Sequence, residues 1–308
     1  YLLQTVIILI TVFYFYIMAK ILITGGTGLI GLRLKKTLID KNHEVIILTR
    51  EPKNNDEFMW DLSSNYIDEK ALENTDYIIH LAGAGIAEKR WTKKRKKIII
   101  DSRVKTTNML LKKVNELKID LKGFISASGV GYYGALTTEE IFKETAKPGS
   151  DFLADVCQKW EQAAQQFSTK NTAVTIVRTG IVLASKGGAL EKMKTPIIVP
   201  LGSGEQHLPW IHIDDLCHIY LKIIDNNLTG VFNAVSPEHH TNKTFSKVLA
   251  KSLKRPYIRI GLPRIALKVL FGELAVLLLE GSRICSKKIE KNGYSFRFKT
   301  LAKALNNL

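Results

Sequence analysis

Cysteine and proline are scarce in this chain. The three cysteines, Cys157, Cys217 and Cys285, stand far apart with no Cys-x-x-Cys pair, which excludes a disulfide scaffold and a cysteine-rich zinc site. Eight prolines, with no low-complexity tract and no internal repeat, argue against disorder and against a solenoid. The 308 residues, 45% of them hydrophobic, suffice for one large domain or two modest ones. The sequence therefore predicts a globular protein of a reducing, cytoplasmic compartment.

Acidic residues are also few. Lys and Arg number 45 against 29 Asp and Glu, a net charge of +16. The segment from Asn242 to Leu308 holds 15 basic and 3 acidic residues, and Lys89 to Lys97 holds seven basic residues in nine. Neither cluster is interleaved with aromatic residues as in single-strand binders. We expect solvated helix faces that attract anionic ligands and no nucleic-acid partner; binding through the tail is the alternative and would weaken steeply with salt.

The first 17 residues, YLLQTVIILITVFYFYI, are apolar but poorly suited to a membrane span. Gln4, Thr5 and Thr11 interrupt a stretch already shorter than the roughly 20 apolar residues that a spanning helix needs. A basic leader region and a small-residue cleavage site are both lacking. We interpret residues 1–17 as an extension outside a fold that starts at Met18, with a membrane anchor as the alternative. The folded part is expected to have no membrane partner.

A glycine-rich turn follows the short apolar run KILIT at residues 20–24. The spacing Gly25-x-x-Gly28-x-x-Gly31 allows a tight turn, lets a pyrophosphate approach the backbone and brings the next helix close to the sheet. The phosphates then lie on free N–H groups at the positive end of the helix. The candidate cofactor-binding residues of this turn are Gly25, Thr27, Gly28, Leu29, Ile30 and Gly31.

The second strand, EVIILTR, lacks an acidic residue at its tip. An NAD enzyme places Asp or Glu there on the ribose 2′-hydroxyl, whereas this chain has Thr49 and Arg50. A guanidinium at this position would pair with a 2′-phosphate, which predicts NADP(H) as the cofactor. The alternative is that Arg50 is only an exposed loop cation.

Further strands are predicted at 76–83, 122–128, 173–183 and 230–235, with helical stretches between them. This alternation predicts an α/β fold with a Rossmann-type, doubly wound parallel sheet. Ligands of such sheets bind beyond the carboxyl ends of the strands. Leu81, Ala82, Gly83 and Leu183 are therefore further candidates for cofactor binding.

Several motifs together resemble the atypical, epimerase-like branch of the extended short-chain dehydrogenase/reductases. They are TGGTGLIG, HLAG, SASGVGYYG, PWIHIDDL, the pattern KRWTKKRKKIIIDSRVKTT at 89–107, DFLADVCQKWE at 151–161 and LLEGSR at 278–283. The resemblance runs from Met18 to Leu308. It implies an NADP-binding Rossmann domain over 18–240 and a small, partly helical C-terminal domain over 241–308 that contributes to the substrate lobe.

The resemblance also implies an altered catalytic set. The Tyr-x-x-x-Lys pair that supplies acid/base chemistry in the active superfamily falls on Leu153 and Cys157. The serine survives as Ser128, and the asparagine of the proton relay is matched by Arg103, which the pattern places at the cofactor. Tyr132 and Tyr133 are the nearest alternative phenols. Cys157 is a candidate nucleophile or weak acid, with a small buried filler as the alternative.

Residues 187–210, punctuated by glycine and proline, are predicted to form a lid over the substrate and lead into WIHIDDL. His212, Asp214 and Asp215 resemble an acid/base cluster, but Asp214 is placed as the N-cap of the following helix. No second histidine stands at ligand spacing from His212, so no metal is expected. Thr241 is predicted to cap the next helix, and the chain from Pro256 onward is predicted to be helical.

Two functions follow from these features. The first is an NADP(H)-dependent oxidoreductase or epimerase-like enzyme that acts on an unidentified small molecule with a non-standard acid/base set. The second is a catalytically silent nucleotide-sensing or regulatory protein, for example in cell division. The loss of tyrosine and lysine favours the second, whereas the lid segment, Ser128 and the glycine turn favour the first.

Overall fold

A computed structural model describes residues 19–308, and the N-terminal extension predicted at 1–17 lies outside the described residues. The strands are β1 (Lys20–Thr24), β2 (Glu44–Thr49), β3 (Glu57–Asp61), β4 (Tyr66–Ile67), β5 (Tyr77–His80), β6 (Gly123–Gly129), β7 (Ile141–Phe142), β8 (Ala173–Thr179), β9 (Ile181–Leu183), β10 (Trp210–His212), β11 (Gly230–Ala234) and β12 (Arg283–Ile284). The helices are α1 (Leu29–Ile39), α2 (Lys93–Glu116), α3 (Phe152–Gln165), α4 (Gly188–Met193), α5 (Ile213–Asp225), α6 (Asn242–Leu253), α7 (Arg264–Phe271), α8 (Val276–Leu279), α9 (Lys287–Lys291) and α10 (Leu301–Asn307).

Eight strands form the central sheet in the order β11, β8, β6, β5, β1, β2, β3, β4. All neighbouring strands are parallel except β3 and β4. The chain builds outward from β1 through β2 and β3, then returns to place β5 on the other side of β1. This reversal leaves a crevice at the carboxyl ends of β1 and β5, where doubly wound sheets bind ligands. The predicted Rossmann-type fold is confirmed.

Helices cover both faces of the sheet, because the strands are apolar on both sides. Leu34 and Leu38 of α1 pack with Ile21, Ile23 and residues of α5 in one core. Met109 and Leu110 of α2 pack with Leu22, Phe124 and residues near the end of α3 in the other. Successive residues of β1 thus enter opposite cores, as expected for a strand covered on both sides.

The strand predicted over 173–183 is broken at Gly180. β8 ends at Thr179 inside the central sheet, and β9 leaves it to pair with β10. A Cβ at Gly180 would lie 2.5 Å from the carbonyl oxygen of Pro209. The mostly apolar sequence 173–183 does not indicate this break, because the break depends on the close approach of Pro209, which precedes β10. β3 and β4 were not predicted either, since the β3 run EFMWD has three adjacent apolar residues without alternation and β4 has only two residues.

Backbone contacts join the predicted lid segment, residues 187–210, to the C-terminal region. Ile198 and Leu201 bridge to Tyr257 and Leu262, and the N–H of His207 donates to the carbonyl of Gly281 at 3.0 Å. The C-terminal region is not wholly helical, because β12 pairs with β7. Within residues 19–308, no helix has the length and hydrophobicity needed to cross a membrane.

N-cap residues were predicted from the sequence for two helices. The prediction for α6 is confirmed and the prediction for α5 is wrong. Thr241 caps α6, since its side chain accepts from the N–H of Thr244. Asp214 does not cap α5. The cap is His212, whose ring Nδ1 accepts from the N–H of Asp214 at 3.1 Å, while the Asp214 carboxylate instead pairs with Arg33 of α1 at 2.6 Å.

A buried carboxylate ties the C-terminal segment to the sheet domain. Asp215 is 1% exposed and accepts from the Tyr294 hydroxyl at 2.6 Å and from the N–H groups of Arg297 and Phe298 at 2.8 and 2.9 Å. Burial and the neighbouring Asp215 charge raise the pKa of Tyr294. The phenol therefore stays protonated and keeps donating at all ordinary pH values.

We predict that Asp215→Asn lowers the free energy of unfolding by roughly 1.5–3 kcal/mol, the usual worth of a hydrogen bond to a charged group. An amide cannot accept with both ends, so one of the three donors would be left facing an NH2 group. Urea denaturation measures the loss. Asp225→Asn, at a half-exposed carboxylate of the same helix, is the control and should change little. Equal unfolding midpoints for both variants would contradict this role.

Candidate functional site

The glycine turn brings the first helix against the end of β1. Gly25 has φ of +71°, a conformation that favours glycine. A Cβ at Gly31 would lie 2.3 Å from the carbonyl oxygen of Gly25, so only glycine permits this approach. Gly28 is the N-cap of α1 and has no side chain to accept from the first turn. The N–H groups of that turn, with Thr27, Leu29 and Ile30 around them, are therefore available to a phosphate.

The ends of β2 and β9 flank this turn. Thr49 closes β2, and Arg50 beside it is exposed. Leu29 lies against the start of the lid segment, because a Cβ at Gly188 would fall 2.9 Å from Leu29 Cδ2. Leu183, at the end of β9, is fully buried in a core cluster with Leu190, Leu208 and Trp210.

Beyond β5, the chain passes through Leu81, Ala82 and Gly83 to a buried arginine. Arg103 of α2 is 7% exposed and donates to the carbonyls of Ala84 and Ile99 at 3.0 and 2.9 Å. A Cβ at Gly83 would lie 2.9 Å from Arg103 Cζ, so glycine makes room for the guanidinium.

The Arg103 charge lacks a matching anion. Among residues 19–308, no carboxylate forms an ion pair with Arg103, and its Nε is buried without a hydrogen-bond partner. Burial lowers the pKa of Arg103 to about 10, so the group remains charged at neutral pH. The guanidinium carbon lies 4.9 Å from the Trp160 ring centroid, which supplies some stabilisation. A buried, unpaired cation is costly, and an anionic ligand at the end of β5 would offset that cost.

His80, at the end of β5, holds this region together. Its ring lies 2.7 Å from the Thr24 hydroxyl and 3.3 Å from the Thr106 hydroxyl, which joins β1, β5 and α2. Burial lowers the pKa of His80 to about 3. The imidazole is neutral at physiological pH and serves as a structural hydrogen-bonding group.

Ser128 is engaged by a buried ion pair that sequence reasoning missed. Its hydroxyl donates to Glu161 at 2.7 Å, and Glu161 takes two further hydrogen bonds from Arg178 at 2.9 and 2.8 Å. Burial by itself lowers the pKa of Arg178, but the hydrogen bond and charge of Glu161 outweigh it and raise the pKa. Arg178 was hidden inside the predicted strand 173–183. A charged residue amid apolar β-sequence was the available signal.

The two tyrosines differ in their surroundings. Tyr133 is buried and donates to the Asn233 side chain at 2.6 Å, and burial raises its pKa to about 12. Tyr132 is only half-buried, and the centroid of its ring lies 3.3 Å from the guanidinium carbon of Arg178. Tyr132 is the more accessible phenol, and it lies beside the ion pair that holds Ser128.

Leu153 and Cys157 lie on adjacent turns of α3, facing the segment after β6. A Cβ at Gly131 would lie 3.2 Å from Leu153 Cβ and 3.8 Å from Cys157 Sγ. The Cys157 thiol is buried against the carbonyl of Gly129, and burial raises its pKa to about 11. It is a protonated thiol at neutral pH, poorly suited to attack as a nucleophile.

His212 and the two carboxylates after it do not form an acid/base cluster. The imidazole caps α5 and stacks on Phe298 with ring centroids 3.8 Å apart. Asp214 pairs with Arg33, and Asp215 binds the C-terminal segment. Within residues 19–308, no group of three metal-ligating side chains is close enough to hold an ion.

A nicotinamide dinucleotide phosphate fits this arrangement on three observations. The glycine turn leaves space where a Cβ would block the backbone, Arg50 is an exposed cation at the tip of β2, and Arg103 carries a buried charge with an unpartnered Nε. The three groups are of the kind that bind pyrophosphate and 2′-phosphate oxygens.

Comparisons with known proteins agree with this fold. The NAD dependent epimerase/dehydratase family matches residues 21–235, and a domain of unknown function (DUF1731) matches residues 262–308. An epimerase family protein of Staphylococcus aureus is 33% identical over 306 residues, covering 94% of this chain and 99% of that protein. The mouse epimerase family protein SDR39U1 is also 33% identical, over 297 residues with the same coverage.

Solved structures extend the comparison. Human epimerase family protein SDR39U1, solved with NADPH, is 32% identical with a TM-score of 0.85, covering 94% of this chain and 98% of that one. A nucleoside-diphosphate sugar epimerase from Corynebacterium glutamicum is 31% identical with a TM-score of 0.75, covering 93% of this chain and 57% of that one. A UDP-glucuronic acid 4-epimerase from Bacillus cereus is 19% identical and shares the fold.

We predict that the cysteines of the folded protein resist labelling at neutral pH. All three are buried, and burial raises the pKa of Cys157 to about 11 and that of Cys217 to about 12. Only the thiolate reacts, so alkylation of Cys157 should accelerate as pH rises toward its pKa. Iodoacetamide labelling followed by mass spectrometry, with urea-unfolded protein as the fully labelled control, measures this. Rapid labelling of Cys157 in folded protein at neutral pH would instead identify an activated thiol.

Proposed function

Because the chain belongs to the NAD dependent epimerase/dehydratase family, we propose that it binds NADP(H) across the crevice between β1 and β5 and acts on a small molecule there. The single observation that carries the proposal is the unpaired, buried Arg103 beside a glycine turn whose helix N-terminus is open. The human relative solved with NADPH supports the same coenzyme.

Residues of this chain have distinct parts in binding. The glycine turn and the first N–H groups of α1 would hold the pyrophosphate, Arg50 the 2′-phosphate, and Arg103 an anionic or ribose oxygen near the end of β5. When bound, the nicotinamide supplies a hydride donor or acceptor. Residues 18–240 form the coenzyme domain in this proposal, and residues 241–308 complete the substrate lobe beneath the lid segment 187–210.

The substrate end relies on Ser128 and Tyr132. The Ser128 proton points to Glu161, so the lone pairs of the serine oxygen are left to accept from a substrate hydroxyl. Glu161, fixed by Arg178, positions that serine. Tyr132 is the phenol available to exchange a proton with substrate, because Tyr133 is committed to Asn233 and Cys157 is a protonated, buried thiol.

A catalytically silent nucleotide sensor is the second candidate. The observation that favours it is that Leu153 and Cys157 stand at the positions that the resemblance assigns to tyrosine and lysine. Leucine cannot transfer a proton, and burial raises the pKa of the Cys157 thiol. In that case the coenzyme site would be kept and turnover lost. Binding and turnover measurements separate the two functions.

We predict that NADPH binds markedly better than NADH and that Arg50→Asp loses roughly 1.5–3 kcal/mol of NADPH binding, the worth of charge-assisted contacts. NADH binding should fall far less, since that coenzyme lacks the 2′-phosphate. Isothermal titration of both coenzymes measures the difference. Lys41→Asp, an exposed charge reversal at the far end of α1, is the matched control. Equal affinities of the unmodified protein for the two coenzymes would overturn the assignment to Arg50.

We predict that Arg103→Ala weakens NADPH binding by a similar amount, roughly 1.5–3 kcal/mol, because it removes charged hydrogen bonds. Cys157→Ala removes another buried side chain nearby and is the control, with NADPH affinity almost unchanged. An Arg103→Ala protein that binds NADPH normally would exclude the cofactor role.

Turnover then decides between the two functions. If the protein is an enzyme, we expect NADPH oxidation with at least one member of a carbonyl panel that includes nucleotide keto-sugars, and loss of that turnover in Tyr132→Phe with coenzyme affinity kept. Tight NADPH binding with neither oxidation of the coenzyme nor epimerisation of nucleotide sugars by the coenzyme-loaded protein would favour the sensor. Loss of turnover in Cys157→Ala would instead return a catalytic role to the thiol.

A further inference from the structure

Helix α7 exposes an unusual amount of aliphatic side chain. Ile265, Val269 and Leu270 are 77%, 73% and 65% exposed, and Ile260 in the preceding segment is 82% exposed. Only Leu267 of this helix is buried, and it anchors α7 through a small cluster with Ala275 and Leu279. We refer to Ile265, Val269 and Leu270 of this helix as the α7 face. Clustered exposed aliphatic side chains mark interaction surfaces, whereas isolated ones do not.

Basic residues lie on α7 and in the segment 89–97 beside it. From His239 to Gly272 the chain has eight Lys or Arg and no Asp or Glu. Arg90 donates to the carbonyl of Val269 at 2.5 Å, which brings the basic segment 89–97 beside the helix. The basic segment 89–97 and the basic residues Arg264 and Lys268 of α7 therefore lie near each other, although they are far apart in sequence.

Acidic residues near this surface are already neutralised. Glu273 pairs with Lys96, Glu280 with Arg264, and Glu88 with Arg95. Exposed cations remain without an ion pair among residues 19–308, namely Lys89, Arg90, Lys93, Lys94, Arg259 and Lys268. The surface thus carries a net positive field around an apolar centre.

We propose that the α7 face is a docking surface for the anionic headgroup region of a lipid bilayer. Aliphatic side chains would enter the boundary between headgroups and acyl chains, and the surrounding Lys and Arg would bind lipid phosphates. This proposal differs from the expectation, made from the sequence, that the folded part has no membrane partner. It is independent of the coenzyme site.

The charge pattern argues against a second copy of this chain as the occupant. A symmetric contact would bring each α7 face onto its equivalent, and the unpaired lysines and arginines of both copies would face each other. Like charges at close range in a partly desolvated contact are unfavourable. An anionic bilayer supplies the opposite charge and also a fluid apolar layer that accommodates side chains exposed on a short helix.

Vesicle binding by the full chain tests the proposal. The probes are vesicles of phosphatidylcholine alone and of equal parts phosphatidylcholine and phosphatidylserine, with co-sedimentation as the measurement. We expect the protein to bind the anionic vesicles much more strongly than the neutral ones. The double variant Ile265→Ser, Val269→Ser should lose roughly tenfold or more of that affinity, since two of the most exposed aliphatic groups are removed. Ile39→Ser, at an exposed isoleucine of α1, is the matched control.

A second variant, which changes a charge on the surface, tests the proposal without removing any aliphatic side chain. Lys268→Glu changes an exposed side chain and should lower affinity for anionic vesicles by roughly tenfold or more, since each basic group near the surface contributes about fivefold. Lys303→Glu on α10 is its control and should retain most of the binding. Full affinity in both test variants, or binding that ignores phosphatidylserine, overturns the proposal. A solution dimer that the double serine variant dissociates would assign the face to a second copy and overturn it equally.

Discussion

The close approach of α1 to the end of β1 is the constraint on which the site depends. A Cβ at Gly31 would collide with the Gly25 carbonyl at 2.3 Å, so the helix can begin over the sheet only because both positions lack side chains. That placement puts the open N-terminus of α1 at the point where the strand order reverses between β1 and β5. Helix polarity, sheet topology and backbone space thus converge on one crevice, and the binding of an anionic coenzyme follows from their combination.

Two buried arginines show how the same residue type serves different ends. Arg178 has a carboxylate partner in Glu161, and the pair fixes Ser128 and the Tyr132 ring. Arg103 has only carbonyl oxygens and an aromatic ring, with Nε unsatisfied. A buried charge with a partner stabilises local geometry, whereas one without a partner is tolerated where a ligand completes it. In the proposed function, this contrast separates the residues that would position the substrate from the arginine that would contact the coenzyme.

The basic residues of this protein lie in separate parts of the structure. Arg103 lies beyond the end of β5 and Arg50 at the end of β2, while Arg264 and Lys268 lie on α7 and Arg90 contacts it. The lid segment is held by the C-terminal region through Ile198, Leu201 and His207. The C-terminal region therefore contacts residues 187–210 with one surface and presents the apolar α7 face with another.

The sequence by itself determined the parallel sheet, the glycine turn and the basic tip of β2, because strand alternation, glycine spacing and the residue at a strand end are local properties. It also indicated the family through motifs that lie in a recognisable order. Only the tertiary structure decided that Gly180 breaks a predicted strand, that His212 and not Asp214 caps α5, and that Ser128 is held by Glu161 and Arg178. Each of these depends on a contact between segments far apart in the chain. Burial decided the rest, since the raised pKa of Cys157 and the unpaired charge of Arg103 arise from surroundings that no sequence window contains.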